Sequence, residues 1–303
     1  MSGELAKRFR KLRPNLKDST IKTYVSSIRR LQKIDEHLDY GPVSTYLKTL
    51  PANIAVSVLS ALIVLEGRQR FGRIFDGLIE DAEKMRGSQR FSKAEHKNWT
   101  SSQEIREGIK RIKFEVNKLK LLERPRELKS SEYAILQHYL VLKFYSEFHF
   151  RSDLVSIRIG KHTGQNYYHG GKLFLNKFKT AAKFHARGQL PLVFTPSRGL
   201  QSLLRKFVQI RAMQPKINHD YLISNKSWKP FVRDTFYKYL SGITWRYIGK
   251  RFGTSMMRKI YITEFLAKNP SFKERQKFMY GMQQLSIDTQ EGYRRLFPPD
   301  SDS

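Results

Sequence analysis

The stretch GTSMMRKIYITEFL, residues 253–266, carries a charge for which a helix of this pattern has no ready place. At about 100° per residue, Arg258 falls between Phe265 and Ile262 on the helical wheel, with Tyr261 and Leu266 just outside them. A buried lone guanidinium is strongly unfavourable, so Arg258 calls for an anion. That anion is either an internal carboxylate, such as Asp153 or Glu264, or a group delivered from outside. Three more residues stand out by position. Arg151 follows a long apolar run in FHFRSDLVSI, and Lys179 lies in FLNKFKTAAK where a strand enters a polar turn. Lys177 and Lys183 are alternatives to Lys179 in the same stretch, and Tyr293 sits in DTQEGYRRLF beside two arginines. Planar guanidinium forks and an ammonium are the groups that grip phosphate or carboxylate oxygens. Each residue alone also has a plain use: Arg151 as a helix C-cap, Lys179 as a solvated turn lysine, Tyr293 as a packing residue. Only the combination points to a site.

The bulk of the chain favours an anionic partner. Its 57 Lys and Arg against 27 Asp and Glu leave a formal charge of +30 over 303 residues. Such an excess repels itself in the folded state unless a polyanion offsets it. Nucleic acid is the first candidate and an anionic membrane surface the second. No apolar run approaches the ~18 residues of a membrane span, and the basic residues run along the whole chain rather than one amphipathic helix, which favours nucleic acid. The N-terminal MSGELAKRFRKLRP lacks a signal-peptide apolar core. With no cysteine there is no disulfide and no thiolate zinc site, and the eight histidines show no HxxxH or HExxH spacing. No acidic cluster of the kind that holds Mg²⁺ is present, so the expectation is chemistry without metal or other cofactor. Lack of cysteine fits an intracellular protein.

The elements that must hold these residues are mostly helical. Residues 1–14 read as a basic flexible arm, followed by a stripe of Ile21, Tyr24, Val25, Ile28 and Leu31, with Lys22, Arg29, Arg30 and Lys33 on other faces. Further helical patterns over 42–50, 52–67 and 72–87 complete an all-helical first domain, 1–95, with a basic surface. SKAEHKNWTSS (92–102) reads as polar and helix-breaking, which puts a linker at 96–102 and a second domain at 103–303. Ile105, Ile109, Ile112, Val116 and Leu119 then predict a helix laid on a core or a short coiled-coil seam, the core use being favoured over two heptads. SSEYAILQHYLVLKFYSEF predicts a buried helix with a Ser cap. NYYHGGKLFLNKFKT and GQLPLVFT predict two or three short antiparallel strands. Helices follow over about 199–213, 230–239, 243–252, 254–267 and 270–283, and the last stretch leaves no room for another long element.

The order and spacing of Arg151, Lys179, Arg258 and Tyr293 resemble the tyrosine recombinases, or phage-type integrases. Members of that family carry an Arg after a buried helix, a Lys on a β-hairpin turn, a His-x-x-Arg box, a His or Trp, and a terminal Tyr. RSDL around Arg151 is similar to the family's Arg-x-Ser-Glu-Leu but one residue shorter, and Tyr293 follows Arg258 by 35 residues. Ser255 occupies the box His position, and Gln284, with Gln283 as alternative, matches the second His/Trp position. RPNLKDSTIKTYVSSIRRL looks like the first helix of the family's core-binding domain. The resemblance covers nearly the whole chain and is nearest to versions from large DNA viruses of eukaryotes. Ten residues follow Tyr293, so the C-terminal helix that many relatives lend to a neighbour is expected to be short or absent.

The resemblance implies a mainly α, two-domain DNA clamp: a helical core-binding domain and a mostly helical catalytic domain with a small antiparallel sheet. It implies site-specific strand cleavage and rejoining on double-stranded DNA through a 3′-phosphotyrosyl intermediate, by four protomers on two duplexes, two per site. Arg151 and Arg258 would stabilise the phosphorane-like transition state, Lys179 would protonate the leaving 5′ oxygen, and Tyr293 would be the nucleophile. Lys22, Arg29, Arg30, Lys177 and Lys183 would contact phosphates. The location implied is intracellular, in the nucleus or a viral replication compartment for a eukaryotic viral protein. Three other readings compete: a recombinase-like DNA-binding or packaging protein with weakened catalysis, a type IB topoisomerase, and an RNA-binding protein. The last rests on charge alone, without an RRM-like or KH-type motif.

Overall fold

The computed structural model describes residues 2–296, apart from the side chains of Ser2 and Arg86. The chain forms two compact units, the first ending at Arg90 and the second beginning at Phe91.

The first unit is all helical: α1 (Ser2–Leu12), α2 (Asp18–Gln32), α3 (Tyr40–Lys48), α4 (Ala52–Glu66) and α5 (Arg68–Gly87). Its most apolar helix, α4, buries Ala55, Leu59 and Leu62, and the α2 stripe Ile21, Val25, Ile28 and Leu31 packs into the same core. Gly67, at φ 83°, ends α4 where a side chain would be strained. The N-terminal stretch expected as a flexible arm is helical instead. Leu5, Ala6 and Phe9 fall on one face at helical spacing, Phe9 is fully buried, and its ring lies 5.3 Å from that of Tyr24. Four basic residues between and around them, Lys7, Arg8, Arg10 and Lys11, mask that short stripe in the sequence.

The second unit opens with α6 (Lys93–Asn98), inside the region expected as a helix-breaking linker, and α7 (Ser102–Lys118), the helix expected after it, which begins at the end of that region. Its serines are N-caps: Ser92 with Glu95, and Ser101 with Glu104, each form a reciprocal capping box. α8 (Ser130–Glu147) is the central helix and buries Leu136, Leu140 and Phe144, with α7, α10 (Arg198–Ala212) and α11 (Arg233–Ile248) packed against it. The two helices expected over 230–252 are one, α11, because Gly242 has open space and the helix runs on to Gly249, a left-handed C-cap. α12 (Thr254–Leu266), α13 (Phe272–Gly281) and the short α14 (Asp288–Glu291) complete the unit.

Its sheet has four strands in the order β1 (Ile157–Ile159), β2 (Asn166–His169), β3 (Lys172–Leu175), β4 (Leu192–Phe194). The pairs β2–β3 and β3–β4 are antiparallel as expected, whereas β1, from the stretch after Arg151, pairs parallel to β2 with Ile157 opposite Asn166. Gly170 and Gly171, both at positive φ, close the tight β2–β3 turn. Lys179 is therefore not in that turn but in the long β3–β4 connection, which carries α9 (Ala181–His185). The residues after Tyr293, where a C-terminal helix is expected to be short or absent, lie mostly outside the described range.

Candidate active site

Arg258 projects from α12 into the interior and is 1% exposed. One Nη donates to the His149 carbonyl at 2.5 Å and the other to the Met282 carbonyl at 3.0 Å, while Nε is buried without a partner. Neither carboxylate considered from the sequence pairs with it. Glu264 accepts from the Ser102 backbone N–H at 2.6 Å, and Asp153 accepts from Arg233 at 2.7 Å. Asp153 acts on Arg258 only through its field.

Arg151 leaves the end of α8 just before a 3-10 turn, Ser152–Ser156, and its carbonyl accepts from the buried Tyr145 hydroxyl at 2.8 Å. That bond fixes the backbone from which the guanidinium departs. Its Nη1 is buried and has no hydrogen-bond partner. The two guanidiniums are near enough to repel. Burial, and then the charge of Arg151, push Arg258 down to about 10. A pair of like charges held this way, each with an unsatisfied buried N–H, has an unmet demand for an acceptor.

Tyr293 completes the group. The Arg258 guanidinium carbon lies 5.3 Å from the centre of its ring. Burial alone would raise the Tyr293 phenol, but the charges of Arg258 and then Arg151, both reaching toward its oxygen, outweigh burial and bring it down. The half-buried ring packs with Ile262, Leu266 and Met282, and its backbone N–H donates to the Gln290 carbonyl at 2.9 Å. Gln290 is fully buried and donates to the Arg275 carbonyl of α13 at 3.0 Å.

Gln284 and Gln283 follow α13 and are both buried, with both amide atoms of each side chain lacking partners. Gln283 adopts a left-handed conformation at φ 57°, and its carbonyl accepts from the Thr180 hydroxyl at 2.9 Å. Gln283 lies beside the Asp153 carboxylate without completing a hydrogen bond to Oδ2. Burial pushes that carboxyl up, against the opposing charge of Arg233. The buried polar atoms without a hydrogen-bond partner thus include donors, Arg151 Nη1 and Arg258 Nε, and acceptors, Asp153 Oδ2 and the two glutamine Oε1 atoms.

Lys179 and Lys177 are exposed, and among the described residues neither makes an ion pair or side-chain hydrogen bond to the group around Arg258. Lys179 stands between the buried Phe178 and Thr180, which ties the connection to Gln283, while the Lys177 backbone is held by Asn166 through bonds of 2.7 Å in both directions. Lys183 is exposed on α9. Ser255 is exposed in the first turn of α12, three residues before Arg258. In the first unit, Lys22, Arg29 and Arg30 join Lys33 along a groove of about 460 Å³ on α2.

Several supporting residues carried no sequence signal. Arg233 on α11 holds Asp153 from 80 residues away, and Thr180 reaches Gln283 across 103. His149, whose carbonyl holds Arg258, carries no sequence signal either. Its ring stacks on Tyr261 at 4.0 Å, and burial pushes it down to about 4, so it is a neutral packing group near neutral pH. Among the described residues no group of three or more His, Cys, Asp or Glu could hold a metal, and no helix is long and apolar enough to cross a membrane.

No family model matches the sequence, and no curated protein matches it. Solved structures do match. XerH site-specific recombinase bound to palindromic difH substrate, a post-cleavage complex, aligns at TM-score 0.58 and 16% identity over 97% of this chain and 80% of that one. The pre-cleavage complex of XerH with difH aligns at TM-score 0.56 and 16% identity over 98% of this chain and 81% of that one. The fold, mostly helical with a small mixed four-stranded sheet, is thus shared with these site-specific recombinase structures.

Proposed function

We propose that this chain is a DNA strand transferase of the tyrosine-recombinase type, cutting and rejoining duplex DNA at specific sites. The observation that carries this is the meeting of Arg151, Arg258 and Tyr293, from three distant parts of the sequence, with buried N–H groups that have no internal acceptor. In the proposed step the Tyr293 oxygen attacks a DNA phosphorus and the bond from phosphorus to the 5′ oxygen breaks. A 3′-phosphotyrosine and a free 5′-hydroxyl result, and attack by another 5′-hydroxyl reverses the step without ATP or metal. Arg151 and Arg258 hold the non-bridging oxygens as charge builds on them. The same two charges favour the phenolate, which supplies part of what a base would do. Lys179, or Lys177 beside it, gives the departing oxygen its proton from the β3–β4 connection. Gln284 contributes an amide donor where the family carries His or Trp, and Ser255 a hydroxyl in place of the box His.

The α2 groove with Lys22, Arg29 and Arg30, together with Lys177 and Lys183, takes DNA phosphates. The structural likeness to XerH bound to difH supports this partner. The helical and mixed units act as core-binding and catalytic domains, and four protomers act on two duplexes, two per site. Cleavage takes place where the DNA lies, in the nucleus or a viral replication compartment if the source is a eukaryotic virus.

The test begins with duplexes selected by this protein from a random library. A nicked suicide substrate built on the selected sequence should give an SDS-resistant protein–DNA adduct that is lost in Tyr293→Phe. Ser255 and Gln284, in place of histidines, favour a second reading in which the protein binds DNA and does not turn over. Tight binding to the selected site with no adduct would establish that second reading. Binding should weaken by about 0.9 log unit per phosphate contact for each tenfold rise in salt. A stronger preference for RNA than for duplex DNA at matched salt would defeat both readings.

A further inference from the structure

Glu95 has no part in the chemistry above, yet it is one of the few carboxylates buried in this basic protein, at 6% exposure. It sits on α6, which begins at Lys93, three residues after the first unit ends. Its Oε1 accepts from Lys259 and, at 3.0 Å, from an Arg295 Nη, while Oε2 accepts from the Ser92 N–H at 2.8 Å and from Arg295 Nε at 3.4 Å. Lys259 is the residue after Arg258, and Arg295 lies two beyond Tyr293. A single carboxylate therefore holds the helix that presents one guanidinium and the chain that presents the phenol.

The rest of the geometry makes this hold matter. Among the described residues, Lys259 and Arg295 have no other carboxylate within ion-pair distance. The Arg295 N–H donates to the Thr263 hydroxyl of α12 at 3.0 Å, so the segment after Tyr293 lies along that helix. Without Glu95, two half-buried cations would face each other there with nothing between them. Their repulsion would drive Arg295 outward and carry Tyr293 with it. On its N-terminal side the Tyr293 backbone is held by the one-turn α14, through Gln290, while its ring packs on Ile262, Leu266 and Met282.

We infer that Glu95 is a positioning residue: through Lys259 and Arg295 it keeps Tyr293 seated over Arg258 and Arg151. Its functional meaning rests on the nucleophilic role proposed for Tyr293. The test needs neither DNA nor cleavage, so it stands or falls apart from that role. In the full-length chain, 3-fluorotyrosine is placed at position 293 and its titration followed by ¹⁹F NMR, alongside hydrogen exchange of peptides spanning 288–296. Glu95→Ala should move the fluorophenol titration upward, toward that of free 3-fluorotyrosine, and speed exchange in 288–296 at least tenfold. Peptides of α7 and α8 should be unchanged. If α7 and α8 also lose protection, Glu95→Gln becomes the deciding variant, because it keeps an acceptor for Ser92 while removing the charge. An upward titration shift in Glu95→Gln with α7 and α8 intact supports the inference. Wild-type titration and exchange at 288–296, in Glu95→Ala with α7 and α8 intact or in Glu95→Gln, overturn it. On a selected suicide duplex, a Glu95 variant that passes this test should form adduct more slowly at unchanged DNA affinity.

Discussion

Replacing Arg258 with methionine separates the two things that residue does. Structurally, the change removes two donors and leaves the His149 and Met282 carbonyls unpaired, at about 1–3 kcal/mol each. Against this, exchanging a buried ionic group for an apolar one of similar size stabilises by about 1–4 kcal/mol, and the repulsion from Arg151 disappears with it. The two effects nearly offset, so Arg258→Met should stay within about 2 kcal/mol of the parent chain. Chemically nothing offsets the loss. Removing one preorganised oxyanion donor lowers a rate by about 10²–10³-fold, and Arg258 is also the strongest influence lowering the Tyr293 phenol. With burial then opposed only by Arg151, the phenol should titrate higher than in the parent. DNA affinity should change by less than about tenfold near 0.1 M salt, because one phosphate contact of several is lost. The assays are denaturant unfolding, binding to the selected duplex, and the single-turnover rate of SDS-resistant adduct formation. A folded Arg258→Met that forms adduct at the parent rate would refute the reasoning, and a variant that fails to fold would show that Arg258 is mainly structural.

Three further predictions rest on particular residues. Phe9→Ala should destabilise the first unit by about 3–5 kcal/mol in denaturant titration of the full chain, whereas removal of a flexible arm residue would do almost nothing. His149 titrates at 6.5 when free and near 4 in the fold, so the unfolded chain binds more protons between these values. Its contribution to stability is therefore full above about 6.5 and is lost as pH falls toward 4, and His149→Phe should flatten the stability profile in that window. Ser255→His places an imidazole at the start of α12, at the position where the tyrosine recombinases that the sequence resembles carry the box His. It should speed adduct formation by at least about tenfold if proton removal from Tyr293 limits the rate, and no change in rate would place the limit elsewhere.

The sequence made some features legible for definite reasons. α2 and α7 carry apolar stripes over 15 or more residues, long enough for periodicity to stand out, and α4 and α8 are apolar on most sides, which marks them as buried helices. The sharp turn of the β2–β3 hairpin shows in its Gly-Gly pair. Short or mixed signals failed. The apolar face of α1 is spread over a run of basic residues, and Ser92 and Ser101, which look like breakers in a polar stretch, are helix starts. β1 is only three residues long and takes its place from a partner, not from its own alternation.

For the site, residue types and order were enough to single out Arg151, Arg258 and Tyr293, because a charge on an apolar face and a phenol among arginines are local anomalies. Sequence also set the positive charge that calls for a polyanion. Which groups meet was decided only in three dimensions. Asp153 and Glu264 were equal candidates to neutralise Arg258, and the fold commits the first to Arg233 and the second to the Ser102 backbone. Lys177 and Lys179 still differ only by what anchors the backbone around each, Asn166 or the Thr180–Gln283 bond. Gln283, Gln290 and Glu95 lie in polar stretches of the sequence, and the tertiary structure buries all three. Local spacing specifies which face of an element is apolar. It does not carry the long-range geometry, here spanning from tens of residues to 200, by which a polar side chain finds the partner that permits its burial.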